Sequence, residues 1–168
     1  MNKINDRLEE ITSDILLNND MYIVPVDVIK IANNNDIKVF EEELDKKVSG
    51  AIRFNEEAQK FEILVNSEEA DVRKRFTIAH ELGHYFLHGD VLKSKCVHVD
   101  VLYRAELKTE DEKDADYFAG ALLMNQTLLR KLRNNNTITE LAEIFNVSTS
   151  AMTVRLDILG ILWVQKIN

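Results

Sequence analysis

Residues 78–88 read Ile78-Ala79-His80-Glu81-Leu82-Gly83-His84-Tyr85-Phe86-Leu87-His88, and the prediction of the fold begins from them. They contain the pattern HExxH inside a predicted helix, the context that this motif requires. Histidines four residues apart lie on one face of a helix, so His80 and His84 can bind one metal ion together. Glu81 is offset by about 100° around the helix, where it can accept a proton from a metal-bound water instead of binding the metal.

A catalytic zinc site needs a third protein ligand and an open position. His88 repeats the four-residue spacing. Each such step rises about 6 Å along the helix axis, so three rings in a row cannot all meet one ion at about 2.1 Å. We therefore predict that His88 is a helix-end residue favoured by the helix dipole, or a donor that supports the site without binding the metal.

Acidic residues cluster in the next predicted helix, over 110–124. Glu112 and Asp116 are four residues apart and share a face of that helix. One of these carboxylates could bind the metal while the other orients a histidine ligand. Spacing alone does not separate Glu112 from Asp114 and Glu110, and acids are also expected at a helix N-terminus because of the helix dipole.

The pattern of apolar residues around the motif predicts an α+β chain. The motif helix is expected over 67–88, with Ser67 as its cap and Gly89 as its end. Helical spacing predicts a first helix over 3–17, and Pro25 suits the opening turn of a second helix that stops at Asn33. Alternating apolar residues predict three strands between these helices and the motif: 37–40, 48–54 and 60–66, the last two joined as a hairpin.

Length and composition limit the class of protein. The chain has 168 residues, 45% hydrophobic and 30% charged, which fits one globular unit. Its net charge of −8 argues against general binding to nucleic acid backbones. One cysteine excludes an internal disulfide, the N-terminal residues lack the apolar core of a signal peptide, and the longest apolar run is too short to span a membrane. We therefore expect a cytoplasmic protein that does not associate with membranes.

A change of role is predicted near residue 126, because residues 126–168 carry a charge of +2 and the rest of the chain −10. Residues 137–160 predict two short helices joined by a turn at Asn146-Val147-Ser148, as in a helix-turn-helix unit. The second helix offers few groups for reading DNA: Thr149, Ser150, Thr153 and Arg155. We therefore favour packing on the core or binding to a protein partner over DNA binding, and divide the chain into a core over 1–125 and a helical module over 126–168.

Two strings together resemble the ImmA/IrrE family of metallopeptidases. They are the motif string at 78–88 and residues 112–124, which read Glu112-Lys113-Asp114-Ala115-Asp116-Tyr117-Phe118-Ala119-Gly120-Ala121-Leu122-Leu123-Met124. That family pairs HELGH with a later E-x-x-A-[ND]-x-F-A-x-x-L-L-M segment, and the resemblance covers about residues 20–125. It implies that Glu112 is the third zinc ligand, as in gluzincins, and that Asp116 supports a histidine ligand. The family's usual proline after the methionine is Asn125 here, a departure at a helix end and not at the metal.

The resemblance also implies a fold and an activity. The implied fold is a small thermolysin-like zincin core, with the active-site helix beside a short sheet, followed by a helix-turn-helix-like helical module. Members of the family usually cut repressors of mobile elements or stress regulons. We therefore expect a zinc endopeptidase that makes a specific cut in a helix-turn-helix repressor. The alternative is a non-proteolytic zinc-binding regulator, or a partner protein of the toxin–antitoxin type, that acts by binding protein or DNA.

Two aspects of substrate binding stay open at this point. The predicted strand 60–66 is the candidate edge strand for an extended substrate, and an interior position for it is the alternative. Tyr85, His98 and Tyr103 are candidates for stabilising the oxyanion, and the sequence does not select one of them.

Overall fold

The computed structural model describes residues 3–95, 97–101 and 109–161. In these residues the chain alternates helices with one small sheet, as an α+β chain does. None of the described helices is long and apolar enough to span a membrane. The helices are α1 (Lys3–Asn18), α2 (Val28–Asn34), α3 (Asp71–Lys95), α4 (Glu110–Leu123), α5 (Gln126–Leu132), α6 (Ile138–Phe145) and α7 (Thr149–Ile158), and the strands are β1 (Lys38–Glu42), β2 (Val48–Asn55), β3 (Lys60–Asn66) and β4 (Val97–Val101).

The four strands form one mixed sheet in the order β1-β3-β2-β4. β1 pairs with β3 in parallel, and β2 pairs with β3 and with β4 in antiparallel fashion. The prediction of β3 as the candidate edge strand is therefore wrong, and its alternative, an interior strand, is observed. β3 follows a tight hairpin from β2, while β1 reaches its other side from an earlier part of the chain. β4, for which the sequence gives no clear pattern, forms an edge of the described sheet.

Charged side chains stabilise the β2–β3 hairpin on one face. Arg53 lies opposite Glu62 in the register, and its Nε donates to Glu62 Oε2 at 2.8 Å. Asn55 Nδ2 donates to the other carboxylate oxygen at 2.8 Å. These two donors hold the pKa of Glu62 below its ordinary value, because they favour the ionised carboxylate.

The motif helix α3 begins later than predicted, and it has a break where its end was predicted. It starts at Asp71 and not after Ser67, because residues 67–70 form the turn that leaves β3, where Ser67 N–H donates to Glu42 C=O at 2.9 Å. The predicted end, at His88 and Gly89, coincides with this break, and a further helical segment follows it. The backbone leaves helical geometry at His88, with φ −134° and ψ 16°, and then continues as helix to Lys95. The kink therefore falls one turn beyond His84.

The second helix also begins later than predicted. Asp27 caps α2 by accepting from Lys30 N–H at 2.9 Å, so the first helical residue is Val28. Pro25 consequently lies before the cap and not in the opening turn. The predicted helix over 3–17 matches α1 within one residue, and the helix predicted over 110–124 matches α4 equally closely.

The chain divides into two compact units, residues 27–119 and residues 1–26 with 120–168. The first unit contains the sheet, α2 and α3, and its buried core includes Ile52, Ile63, Val65, Ile78 and Leu82. The second unit joins α1 to the C-terminal helices, with Leu16, Leu129, Phe145, Met152 and Leu156 buried. The predicted division at residue 126 into a core and a separate module stays a prediction.

Candidate metal centre

The site is built where α3 and α4 approach each other closely at Gly83. A Cβ atom placed on Gly83 would lie 3.1 Å from the Phe118 ring and 3.2 Å from the Ala115 Cα, closer than a side chain normally comes. The Phe86 and Phe118 rings stack beside this contact, with their centroids 5.9 Å apart. A glycine at this position therefore lets the α4 backbone lie directly against α3, which brings the acidic first turns of α4 opposite the histidines.

Three side chains from these two helices converge on one point. His84 Nε2 lies 3.1 Å from His80 Nε2. One oxygen of Glu112 lies 3.4 Å from His80 Nε2, and the other lies 3.3 Å from His84 Nε2. One ligand atom from each of the three residues lies within 4.8 Å of the others. Both histidine side chains are buried, and the Glu112 side chain is 23% exposed, so the cluster is open on the carboxylate side.

These separations fit a tetrahedral metal ion. Zinc with bonds of about 2.0–2.1 Å holds its ligand atoms about 3.3–3.4 Å apart. The two histidine nitrogens lie 3.1 Å apart, and each lies 3.3–3.4 Å from a different oxygen of Glu112, which is close to this spacing. Two imidazoles and one carboxylate also form the donor set that catalytic zinc sites use, with the fourth position left for water or substrate. The residues present therefore fit the metal that the motif implies.

Asp116 fixes the proton on His80. Its Oδ1 lies 3.0 Å from His80 Nδ1, and a carboxylate can only accept, so Nδ1 carries the hydrogen. In the neutral ring the lone pair of His80 is then on Nε2, the atom that faces His84 and Glu112. A carboxylate behind a ligating histidine both orients the ring and makes it a stronger ligand.

Glu81 lies on a different side of α3 from the ligand cluster. It is fully buried, and its Oε1 lies 3.9 Å from the point where a Cβ on Gly50 would stand. Gly50 belongs to β2, so the Glu81 carboxylate is directed toward the sheet, and it does not join the three ligand atoms. This position, next to His80 in the chain but outside the ligand set, suits a group that accepts and donates protons.

The remaining candidates lie apart from the cluster. His88 Nε2 lies 3.8 Å from Asp111 Oδ1, and its ring is centred 5.9 Å from that of His84. Glu110 is 82% exposed and pairs with Lys113 at 2.8 Å. Among the described acids of α4, Glu112 is the one grouped with the histidines, while Glu110 and Asp114 are not.

The oxyanion candidates stay unresolved. Tyr85 is half-buried, and its ring packs edge-on against Phe61, with centroids 5.1 Å apart. Tyr103 and the side chain of His98 lie outside the described residues.

Arg155 does not have the role that a DNA-reading helix would give it. α6 and α7 are joined by Asn146–Ser148, with Asn146 in a left-handed conformation. Arg155 is 2% exposed: its Nη2 lies 2.7 Å from Glu9 Oε1, and its Nε donates to Met124 C=O at 3.0 Å. Arg155, one of the few groups that the sequence offered for reading DNA, does not serve that less favoured alternative, because its guanidinium is committed to a buried ion pair.

Asn125, where the family's usual proline is replaced, lies at a helix end as expected. Its side chain caps α5 by accepting from Thr127 N–H at 3.0 Å. It also accepts from the Tyr22 hydroxyl and donates to Ser13 Oγ, both at 3.1 Å. The departure thus affects the start of α5 and none of the three candidate ligands.

Comparison with known proteins shows the family of the chain. Residues 32–157 match the family model described as a peptidase family with an IrrE N-terminal-like domain. The chain belongs to the ImmA/IrrE family of metallopeptidases. It is 26% identical over 136 residues to metallopeptidase ImmA of Bacillus subtilis (strain 168), an alignment that covers 79% of this chain and 76% of that protein. Membership in this metallopeptidase family implies a metal, and His80, His84 and Glu112 are the candidate ligands.

A solved structure shares the fold. The Mycobacterium tuberculosis transcriptional regulator superposes with a TM-score of 0.62 at 20% sequence identity, over 90% of this chain. This chain spans 55% of that protein's length.

Two residues that shape this ImmA/IrrE site were not singled out from the sequence. They are Gly83, at the contact between α3 and α4, and Gly50, where β2 meets α3. A signal for both was present. Glycine inside a helix or a strand weakens the element, so its presence there indicates a close approach of another backbone or a bulge. The register shift of β2 between Val48 and Gly50 is such an irregularity.

Proposed function

We propose that this protein is a zinc endopeptidase that makes a specific cut in a helix-turn-helix repressor. The observation that carries the proposal is the convergence of His80, His84 and Glu112 within 4.8 Å, beside the buried Glu81 carboxylate. His80, His84 and Glu112 would hold a zinc ion, which would polarise a carbonyl and lower the pKa of its water to about 7. Structural zinc sites have four protein ligands, whereas this cluster offers three among the described residues, as hydrolytic sites do.

Each side chain of the site has a separate role in the proposed hydrolysis. His80 and His84 offer neutral imidazole nitrogens, and Asp116 keeps the His80 proton on Nδ1. Glu81 takes a proton from the attacking water on a carboxylate oxygen and passes it to the nitrogen of the leaving amine. The burial of Glu81 against β2 restricts its rotamers, which keeps the carboxylate in place between these two proton transfers.

The sheet suggests how a peptide could be held. β4 forms an edge of the described sheet and pairs with β2, which carries Gly50 next to Glu81. An extended segment can add to such an edge through main-chain hydrogen bonds. We therefore propose β4, and not β3, as the strand that aligns the substrate.

The substrate class rests on the family resemblance and on charge. The net charge of −8 favours association with a basic partner over an acidic one, and proteins that bind DNA carry basic surfaces. A helix-turn-helix repressor has such a basic surface where it binds DNA. The activity is expected to be specific, since one cut in a regulator is sufficient to inactivate it.

The test compares the zinc-loaded wild type with Glu81→Gln. Both are incubated with a proteome-derived peptide library and with the helix-turn-helix repressor encoded nearest to the gene, and products are read by mass spectrometry. We expect a discrete cut by the wild type, and a loss of at least about 100-fold in Glu81→Gln with zinc content unchanged, because the change removes the proton acceptor and none of the ligands.

Other outcomes would change the proposal in defined ways. Equal cleavage by Glu81→Gln would remove Glu81 from its role. One zinc per chain with no cleavage of either substrate would favour the alternative, a zinc-binding regulator that acts by binding.

A further inference from the structure

Thr77 carries a buried hydroxyl that has no role in the candidate metal centre. The residue lies on α3 and is 1% exposed. Within the described residues, its Oγ1 has no hydrogen-bond partner. Leaving a buried hydroxyl unpaired destabilises a fold, so such a group in a native protein calls for an explanation.

Other threonines in this chain show how a helical hydroxyl is normally satisfied. Thr12 in α1 donates to Leu8 C=O at 2.9 Å, and Thr153 in α7 donates to Thr149 C=O at 2.9 Å. Both bonds run to the carbonyl four residues earlier, which is the common arrangement in helices. The Thr77 hydroxyl could donate to the carbonyl of Arg73, four residues earlier, but it does not.

Thr77 and Glu81 meet the same point of β2. They are four residues apart, so they share a face of α3. A Cβ on Gly50 would collide with Thr77 Cγ2 and would lie 3.9 Å from Glu81 Oε1. The Thr77 methyl group therefore occupies the space between the helix and the strand that the Glu81 carboxylate also borders.

We propose that Thr77 is a positioning residue for Glu81. A rotation of about 120° about χ1 moves Oγ1 of Thr77 to the place of the methyl group and the methyl group to the place of Hβ, and threonine in helices populates two χ1 rotamers. In the rotated form Oγ1 points toward Gly50 and the Glu81 carboxylate, to which it donates a hydrogen bond while Glu81 transfers protons. The inference rests on the proposed function, because it assigns Thr77 a part in the same proton transfer.

The size of the effect follows from the number of bonds that hold the carboxylate. Glutamate has three rotatable side-chain bonds, and a donor that fixes one carboxylate oxygen keeps the other aligned. Removing that donor should lower kcat about 10-fold and leave KM unchanged, since Thr77 is none of the proposed ligands and is not part of the edge strand. In the observed rotamer the hydroxyl is unpaired, so its removal should also raise Tm of the metal-free protein by about 2–4 °C.

The experiment uses two matched variants of the full chain. Thr77→Val keeps the shape and removes the hydroxyl, whereas Thr77→Ser keeps the hydroxyl. Three quantities are measured: Tm of the metal-free protein, kcat and KM on the peptide found with the library, and the affinity of the zinc-loaded protein for acetohydroxamic acid. The last probe donates a hydrogen bond to a correctly placed general base, so it reports on Glu81 without any peptide cleavage.

We expect Thr77→Val to have a higher Tm, a kcat lowered about 10-fold and an acetohydroxamate affinity lowered several-fold, with Thr77→Ser close to wild type. A higher Tm with unchanged kcat and unchanged acetohydroxamate affinity would overturn the proposal, because Thr77 would then be structural. If the wild type cuts no peptide, the proposed function fails by itself, and the acetohydroxamate comparison still decides the role of Thr77. Thr77→Ala replaces the valine variant if that protein does not fold.

Discussion

The proton on His80 Nδ1 is held by one carboxylate, and single-residue changes can test what that contact contributes. Asp116→Ala removes the acceptor at 3.0 Å and lets the His80 ring turn and change tautomer. We expect zinc affinity to fall about 10–100-fold, the usual effect of losing such a supporting carboxylate. Competition with a chromophoric chelator measures the zinc affinity. Asp114→Ala is the matched control on the same helix, and it should bind zinc like the wild type; an equal loss in both variants would contradict the assigned role of Asp116.

The ligand residues differ in how far the sequence could identify them. His80 and His84 follow from local geometry, because four-residue spacing on a helix places both rings on one face whatever the rest of the fold does. Glu112 does not, since Glu110 and Asp114 have similar spacing and the choice depends on how α4 lies against α3. The family resemblance pointed to Glu112, and the structure brings Glu112, not the other two acids, to the histidines.

At the scale of helices and strands, the contact at Gly83 sets the distance between α3 and α4. Gly83→Ala places a methyl group 3.1 Å from the Phe118 ring and 3.2 Å from the Ala115 Cα, so α4 must shift. We expect a loss of about 1–3 kcal/mol from overpacking and a zinc affinity lowered on the order of 10-fold. Urea denaturation and zinc titration measure the two effects.

Gly89→Ala serves as the control in the same helix, because a Cβ at Gly89 meets no atom within 4 Å. It should leave zinc affinity unchanged and stabilise the protein by up to about 1 kcal/mol through helix propensity. If Gly83→Ala behaves like this control, the close approach of the two helices does not determine the site.

Most elements could be predicted from the sequence, and the errors lie where tertiary pairing decides. β3 was placed with the same boundaries as observed, but its interior position depends on β1, which pairs with it from before the hairpin. β4 falls in a stretch without clear periodicity and is defined by its pairing with β2. The start of α3 moved from Ser67 to Asp71 because the chain needs residues 67–70 to turn away from the sheet.

At the scale of the whole chain, a buried ion pair joins residues 146 positions apart. Glu9 in α1 and Arg155 in α7 are 3% and 2% exposed, and both belong to the unit formed by residues 1–26 and 120–168. Arg155→Ala leaves the Glu9 carboxylate buried without its cation, so we expect the free energy of unfolding to fall by about 3–5 kcal/mol. The sequence could not indicate this pair, because Arg155 also suits an exposed helix that contacts DNA.

Two further variants, studied by urea denaturation, distinguish the loss of the ion pair from other effects of the Arg155 substitution on stability. Lys131→Ala removes an exposed cation from the same unit and should change stability by no more than about 0.5 kcal/mol. The double variant Glu9→Leu with Arg155→Met removes both charges and should recover most of the loss. A small effect of Arg155→Ala, similar to that of Lys131→Ala, would show that the pair contributes little.

Anomalous diffraction at the zinc edge, from crystals of the zinc-loaded protein, locates the ion that the whole account requires. We predict one peak per chain, about 2.0–2.2 Å from His80 Nε2, His84 Nε2 and a carboxylate oxygen of Glu112. The Glu112→Ala crystal should lack that peak. A peak bound by other side chains, or none at these three residues in zinc-loaded crystals, would contradict the proposed centre and the peptidase activity derived from it.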